Sequence, residues 1–138
     1  MLTQNQLAVI KQTVPVLEEN GEALTRHFYA RMFRENPEVR SFFNPAHQQA
    51  GTQQRALAGA ICAYAQHVDN PAALADAVEL IAQKHVSLGI QPQHYPIVGT
   101  NLLASIQEVL GVDETSEIID AWAAAYGALA DIFIGREG

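Results

Sequence analysis

The chain holds one cysteine, Cys62, in 138 residues, which excludes an intramolecular disulfide and points to a reducing compartment. Nothing around Cys62 supports it as a nucleophile, and a small apolar filler is the better reading. Basic residues are scarce as well. Eight Lys and Arg stand against fifteen Asp and Glu, a formal net charge of −7. That balance argues against nucleic acid and anionic membrane surfaces as partners, because both reward a basic patch. Met1-Leu2-Thr3-Gln4 has neither a basic nor an apolar leader region, and no apolar run approaches the length of a membrane span. A cytoplasmic, soluble protein is expected. Strand-like alternation, repeats, low-complexity tracts, Gly-rich phosphate loops and a His-Glu-x-x-His pattern are all missing, which removes the sheet folds and the commonest nucleotide and zinc chemistries.

What remains is helix. With 49% hydrophobic residues the chain suits one domain, 1–138, with a single core. Thr3 and Gln6 read as a capping box opening a first helix through Leu7, Ile10, Val14 and Leu17, with Pro15 an irregularity near its end. Asn20-Gly21 reads as a break, and a second helix carries Leu24, Phe28, Tyr29, Met32 and Phe33. Tyr29 is either a core tyrosine with a satisfied hydroxyl or a hydroxyl aimed into a ligand cavity. Asn36-Pro37 starts a short helix, Glu38 to Ser41, that ends at Phe42-Phe43-Asn44-Pro45. Adjacent phenylalanines in a loop suggest that something large and flat covers them.

After the polar run His47 to Thr52 comes a helix striped by Gln53, Leu57, Ile61, Tyr64 and Val68. Gln53 and Gln54 at its start are by default solvated. Beyond the turn Ile90 to Pro96, a helix with Ile97, Leu102, Leu103, Ile106 and Leu110 stops at Gly111. Asp113 is expected to cap the last helix, whose stripe is Ile119, Trp122, Tyr126, Leu129 and Phe133. Glu137, near the stripe's end, has a bland reading as a solvated terminal acid.

The stretch that organises the others runs from Leu74 to Gly89. Asn70-Pro71 is its start signal, and Leu74, Val78, Ile81, His85 and Leu88 share one face. A histidine on an apolar stripe is either a buried ring satisfied by a neighbour or a neutral imidazole coordinating a metal, most naturally a haem iron against an aliphatic wall. Position alone does not choose between the two. His27, His47, His67 and His94 read as surface or loop histidines.

Six or seven amphipathic helices with a Phe-Phe corner and a late histidine resemble the globin fold, an all-α class with a haem pocket. Met1-Leu2-Thr3, Thr13-Val14-Pro15-Val16-Leu17, Pro37-Glu38-Val39-Arg40, Phe43-Asn44, Lys84-His85, His94-Tyr95-Pro96-Ile97-Val98-Gly99, Glu108-Val109-Leu110-Gly111, Asp120-Ala121-Trp122 and Ala125-Tyr126-Gly127 are similar to the bacterial flavohaemoglobin globin domain and to single-domain bacterial haemoglobins. The resemblance covers essentially the whole chain. It implies haem b as cofactor, with His85 as the proximal ligand and metal-binding residue and Phe43 stacked on the porphyrin. It also implies Tyr29 as the distal hydrogen-bond donor to bound dioxygen, and Gln53 and Leu57 as the distal-helix glutamine and leucine. Tyr95 and Glu137 match the pair that hydrogen-bonds the histidine's other nitrogen, and Tyr126 matches a further proximal aromatic.

The ligands so implied are dioxygen, nitric oxide and carbon monoxide. The leading expectation is reversible dioxygen binding at a five-coordinate, His-ligated iron. The alternative is the haem domain of a nitric oxide dioxygenase, an oxidoreductase that makes nitrate and needs a flavin reductase, with FAD and NAD(P)H, as a linked domain or separate partner. A third reading is a haem-free helical module. These residues carry no dinucleotide fingerprint, so electrons must come from elsewhere. Two departures stand out: the chain stops at Glu137-Gly138 where the family's last helix goes on, and Gln54 follows Gln53 where some relatives have proline. Whether the chain is a whole product or a cut haem domain, and whether it pairs as a homodimer, is left open at this stage.

Overall fold

Thr3 opens the first helix as its sequence requires: its Oγ1 accepts from the Gln6 backbone N–H at 3.1 Å and its own N–H donates to Gln6 Oε1 at 2.9 Å. In the computed structural model this helix, α1 (Gln4–Gln12), ends at Thr13, and α2 (Val14–Glu35) begins at once with Pro15 in its first turn. The structure describes residues 2–43 and 45–137, excepting the side chains at 45, 47, 71, 136 and 137. A 3-10 turn (Pro37–Phe42) leads to α3 (Pro45–Ala50) and α4 (Thr52–Gln66). A second 3-10 turn (Pro71–Leu74) precedes α5 (Ala75–Leu88), followed by α6 (His94–Leu110) and α7 (Glu117–Glu137). Gly51, Gly89 and Gly111 lie at helix boundaries with positive φ, the conformation glycine adopts without a Cβ penalty.

Three boundary expectations are corrected. The chain breaks at Thr13, not at Asn20-Gly21, because proline in a first helical turn loses no hydrogen bond and so starts a helix rather than interrupting one. Gly21 is instead a crossing point: a Cβ there would stand 3.2 Å from Ala58 Cβ, so two small residues let α2 and α4 approach closely. Asp113 does not cap α7. Its carboxylate accepts from the N–H and hydroxyl of Thr115 inside the preceding turn, which also holds its pKa below the usual carboxylate value. The run from 47 to 52, read as polar loop, contains most of α3.

The larger core cluster gathers Ile10, Leu17, Leu24, Phe28, Met32, Ile106 and Trp122 from α1, α2, α6 and α7. Each such side chain removed from water contributes roughly 1.5–3 kcal/mol. A smaller cluster of Ala82, Tyr95, Ala130 and Phe133 joins α5, α6 and α7. By length and composition alone, Glu117–Gly135 of α7 is apolar enough to cross a membrane, contrary to the sequence expectation of no such run. Its Trp122, Ala125 and Phe133 are buried in the two clusters.

Candidate functional site

The two clusters do not meet everywhere. Between them lies a cavity of about 450 Å³, lined from α2, α4, α5, α6 and α7 and from the Phe42-Phe43 corner. Its volume falls within the range of about 300–1,000 Å³ usual for small-molecule and cofactor sites. The stripe that runs from the preceding 3-10 turn through α5 supplies one wall, because Leu74, Val78, Ile81, His85 and Leu88 all line it. Tyr29, Phe43, Gln53, Leu57, Tyr95 and Tyr126 line it too, so the structure brings seven of the eight sequence-predicted residues together. The eighth, Glu137, has its backbone in α7, but its side chain lies outside the described residues. A second depression of about 640 Å³, at the meeting of α1, α2 and the start of α7, is lined by Val9, Val16, Val112 and Glu117 among others and has no histidine or tyrosine.

His85, half-buried near the end of α5, is held by aromatic neighbours. Its Nδ1 lies 3.1 Å from the Tyr95 hydroxyl, and its ring centroid lies 5.4 Å from that of Phe133. With the proton on Nδ1 donated to Tyr95, Nε2 carries the lone pair, which is the arrangement a metal-ligating imidazole needs. Tyr95 is held in turn, since its ring stacks on Phe133 with an interplanar angle of 14° and its carbonyl oxygen accepts from the Tyr126 hydroxyl at 2.7 Å. Burial pushes the Tyr126 pKa far above the usual phenol value.

Tyr29 belongs to the other cluster. It is buried among Phe28, Phe33 and Phe43, with the Phe43 ring edge-on at 5.3 Å. Burial raises its pKa to about 12, so it stays a neutral O–H donor. Tyr29 lines the cavity, and no hydrogen-bond partner for its hydroxyl stands among the described residues. Both readings of Tyr29 find a counterpart in its position: it is packed in the larger core cluster and it borders the cavity.

The structure overturns the default solvated reading of both glutamines. Gln53 is half-buried on the cavity wall, and Gln54 is 6% exposed. His94, read as a loop histidine, begins α6 and also lines the cavity, its ring edge-on to Phe42 at 4.8 Å and its Nδ1 accepting from the Gln91 N–H at 2.8 Å. The adjacent Tyr95 was the one available hint. Lys84 joins it as a cationic lining residue. His27, by contrast, is exposed, lies 2.6 Å from Glu108 and is not among the residues that line the cavity.

A chain with this geometry has counterparts. The globin family model matches residues 26–133. A flavohemoprotein of Rhodopirellula baltica is 62% identical over 138 residues, which is all of this chain and 34% of that protein. The chain thus spans about a third of the length of such relatives. A bacterial globin from Campylobacter jejuni superposes with a TM-score of 0.91 at 42% identity, over 98% of this chain and 96% of that one. The flavohemoglobin of Malassezia yamatoensis, solved with bound FAD and heme, gives a TM-score of 0.88 at 35% identity, over 99% of this chain and 36% of that one. Fold and matched sequence agree: the chain belongs to the globin family.

Proposed function

We propose that the cavity is a haem site, with His85 as the protein's ligand to iron, and that the chain is a haem domain that binds dioxygen reversibly. One observation carries the reading. His85, its Nδ1 engaged by Tyr95 of the smaller cluster, and Tyr29 of the larger one, whose hydroxyl has no described protein partner, line the same largely apolar cavity. The residues fit the group. A single imidazole does not hold a bare metal ion, so the metal would enter with its own chelating ring, and the apolar space beside Phe43 suits one. When bound, haem supplies an iron that takes small diatomic ligands.

The chain's own residues do the rest. Tyr95, accepting from His85 Nδ1, orients the imidazole and makes it a stronger electron donor. Tyr29 offers an O–H to the ligand side, and a hydrogen bond to a partly negative ligand is worth on the order of 1.5–3 kcal/mol. Leu57, Ile61 and Val98 keep water from that space. The resemblance alone would give Glu137, whose side chain lies outside the described residues, the role of accepting from the Tyr95–His85 pair.

The test is the visible spectrum of the hemin-reconstituted protein: ferric, dithionite-reduced, then with carbon monoxide, for wild type and His85→Ala. A Soret band that shifts with carbon monoxide and is lost or altered in the variant is expected. No specific Soret band in wild type overturns the reading and leaves a helical module for an apolar ligand or a protein partner.

A second reading, the haem domain of a nitric oxide dioxygenase, is favoured by the flavohemoprotein relatives, of which this chain spans about a third. A flavin reductase domain, with FAD and NAD(P)H, would then return electrons. Mixing the reduced, air-equilibrated protein with nitric oxide should give nitrate and the ferric spectrum; an unchanged spectrum removes this reading and keeps the first. The single cysteine supports a cytoplasmic setting. Exposed Leu80, Val86 and Ile132 on α5 and α7 support pairing with a second copy, which sedimentation measures directly.

A further inference from the structure

We infer that three glutamines at the junction of α3 and α4 form a hydrogen-bond relay of fixed polarity that makes Gln53 a donor toward the cavity, with Gln48 and Gln54 as its positioning residues. The inference rests on the haem reading for its consequence at the ligand, but not for the relay itself.

The two ends of a glutamine amide are alike in shape and opposite in hydrogen bonding, so its orientation has to be deduced from its partners. Here the partners leave one solution. The backbone carbonyl oxygen of Gln48 can only accept, and Gln54 Nε2 lies 3.2 Å from it, so Gln54 must present its amino end there. The same Nε2 lies 2.9 Å from Gln48 Oε1. Gln48 therefore gives its oxygen to Gln54 and its amino group to Gln53, and Gln48 Nε2 donates to Gln53 Oε1. With its oxygen so engaged, Gln53 keeps its two N–H bonds for the cavity it lines.

Burial makes the polarity hold. Gln54 is 6% exposed, so water does not compete to turn it. Its Oε1 is buried with no partner, a cost that at first sight favours a flip. Flipping would set that oxygen against two acceptors and orphan an amino group instead, which is worse. The backbone of the turn is tied down as well, because Thr25 Oγ1 lies 2.9 Å from the Gln54 carbonyl oxygen, an acceptor that shares this hydroxyl with those of Gly21 and Glu22. The anchor is thus Gln54, whose amide nitrogen reaches both the backbone and the side-chain oxygen of Gln48.

Two measurements test the relay. Scalar couplings across hydrogen bonds in the labelled wild-type protein read donor and acceptor directly and need no bound haem. Coupling from the Gln54 side-chain nitrogen to the Gln48 side-chain carbonyl carbon, and from the Gln48 nitrogen to the Gln53 carbonyl carbon, is expected. Couplings in the reverse sense, or none, overturn the relay.

The second measurement is the infrared stretch of carbon monoxide on the reconstituted protein. Gln53→Leu, which removes the donor, should raise the frequency. Gln48→Glu keeps the bond from Gln54 but accepts at both ends, which forces Gln53 to turn its amino group away and its carbonyl toward the cavity. Its frequency should rise above that of Gln53→Leu. A wild-type frequency in Gln48→Glu, or in Gln53→Leu, overturns the positioning role. Absence of a Soret band defeats the haem reading, while the couplings still decide the relay.

Discussion

Gly99 in α6 faces the ring of Tyr126 in α7 so closely that a methyl group at 99 would stand 2.7 Å from Tyr126 Cε2. The glycine of the His94-to-Gly99 motif is therefore a packing requirement. It lets α7 approach until the Tyr126 hydroxyl reaches the Tyr95 carbonyl oxygen at 2.7 Å. The tyrosine beside His85 is in this way located from the far side of the site.

Gly99→Ala should force Tyr126 aside, lose that bond and destabilise the fold by about 1–3 kcal/mol, more than the roughly 1 kcal/mol gained in helix propensity. Gly59→Ala is the control. It is exposed in α4, and its added methyl meets nothing within 4 Å, so it should stabilise by about 0.4–1 kcal/mol. Urea unfolding of both variants gives the two signs; equal effects would mean that Tyr126 yields freely.

Asn101 joins α6 to the end of α2. It is 1% exposed, accepts from Arg31 Nη1 at 2.8 Å and donates to Asn36 Oδ1 at 3.0 Å. Asn101→Ala leaves both partners without it and should cost about 2–3 kcal/mol. A midpoint unchanged in urea would show that water replaces the side chain.

Tyr95→Phe removes the hydroxyl 3.1 Å from His85 Nδ1 and keeps the ring that stacks on Phe133. The haem reading then predicts a loss in haem affinity of about 10–100-fold, the usual effect of removing such a partner, with little change in stability. Competition for hemin with an acceptor apoglobin measures it. Retained affinity would assign the orientation of His85 to packing alone.

Burial raises the Tyr29 pKa from 10.0 to about 12. The unfolded chain loses this proton first, so Tyr29's contribution is fully present below pH 10 and is lost as pH rises toward 12. Two units correspond to about 2–3 kcal/mol. Tyr64 and Tyr126 shift in the same direction, so Tyr29→Phe should flatten the alkaline fall in stability without abolishing it. Ultraviolet titration of tyrosinate together with unfolding at each pH tests this; a Tyr29 that titrates near 10 would place its hydroxyl in water.

Much of the site was legible because α5 is strongly periodic. One stripe from Leu74 to Leu88 became one cavity wall, and Gly89 ended the helix in the left-handed conformation. The Phe42-Phe43 corner asked for a flat cover, and both rings line the cavity. Gln54 was not legible. Its position beside an evidently polar run pointed to water, and only the fold of α3 back onto α4 buries it. His94 failed for a related reason, since the prolines around it suggested a loop where α6 in fact begins.

Local chemistry alone determines which residues share a helix face, that Gly89 and Gly111 stop their helices, and that His85 shares a stripe with the aliphatic side chains, because these follow from backbone geometry over a few residues. The tertiary structure decides which hydroxyl has no partner among the described residues, which amide oxygen is engaged, and how near Tyr126 comes to Gly99. Those depend on distances between helices far apart in the chain, which no periodicity encodes.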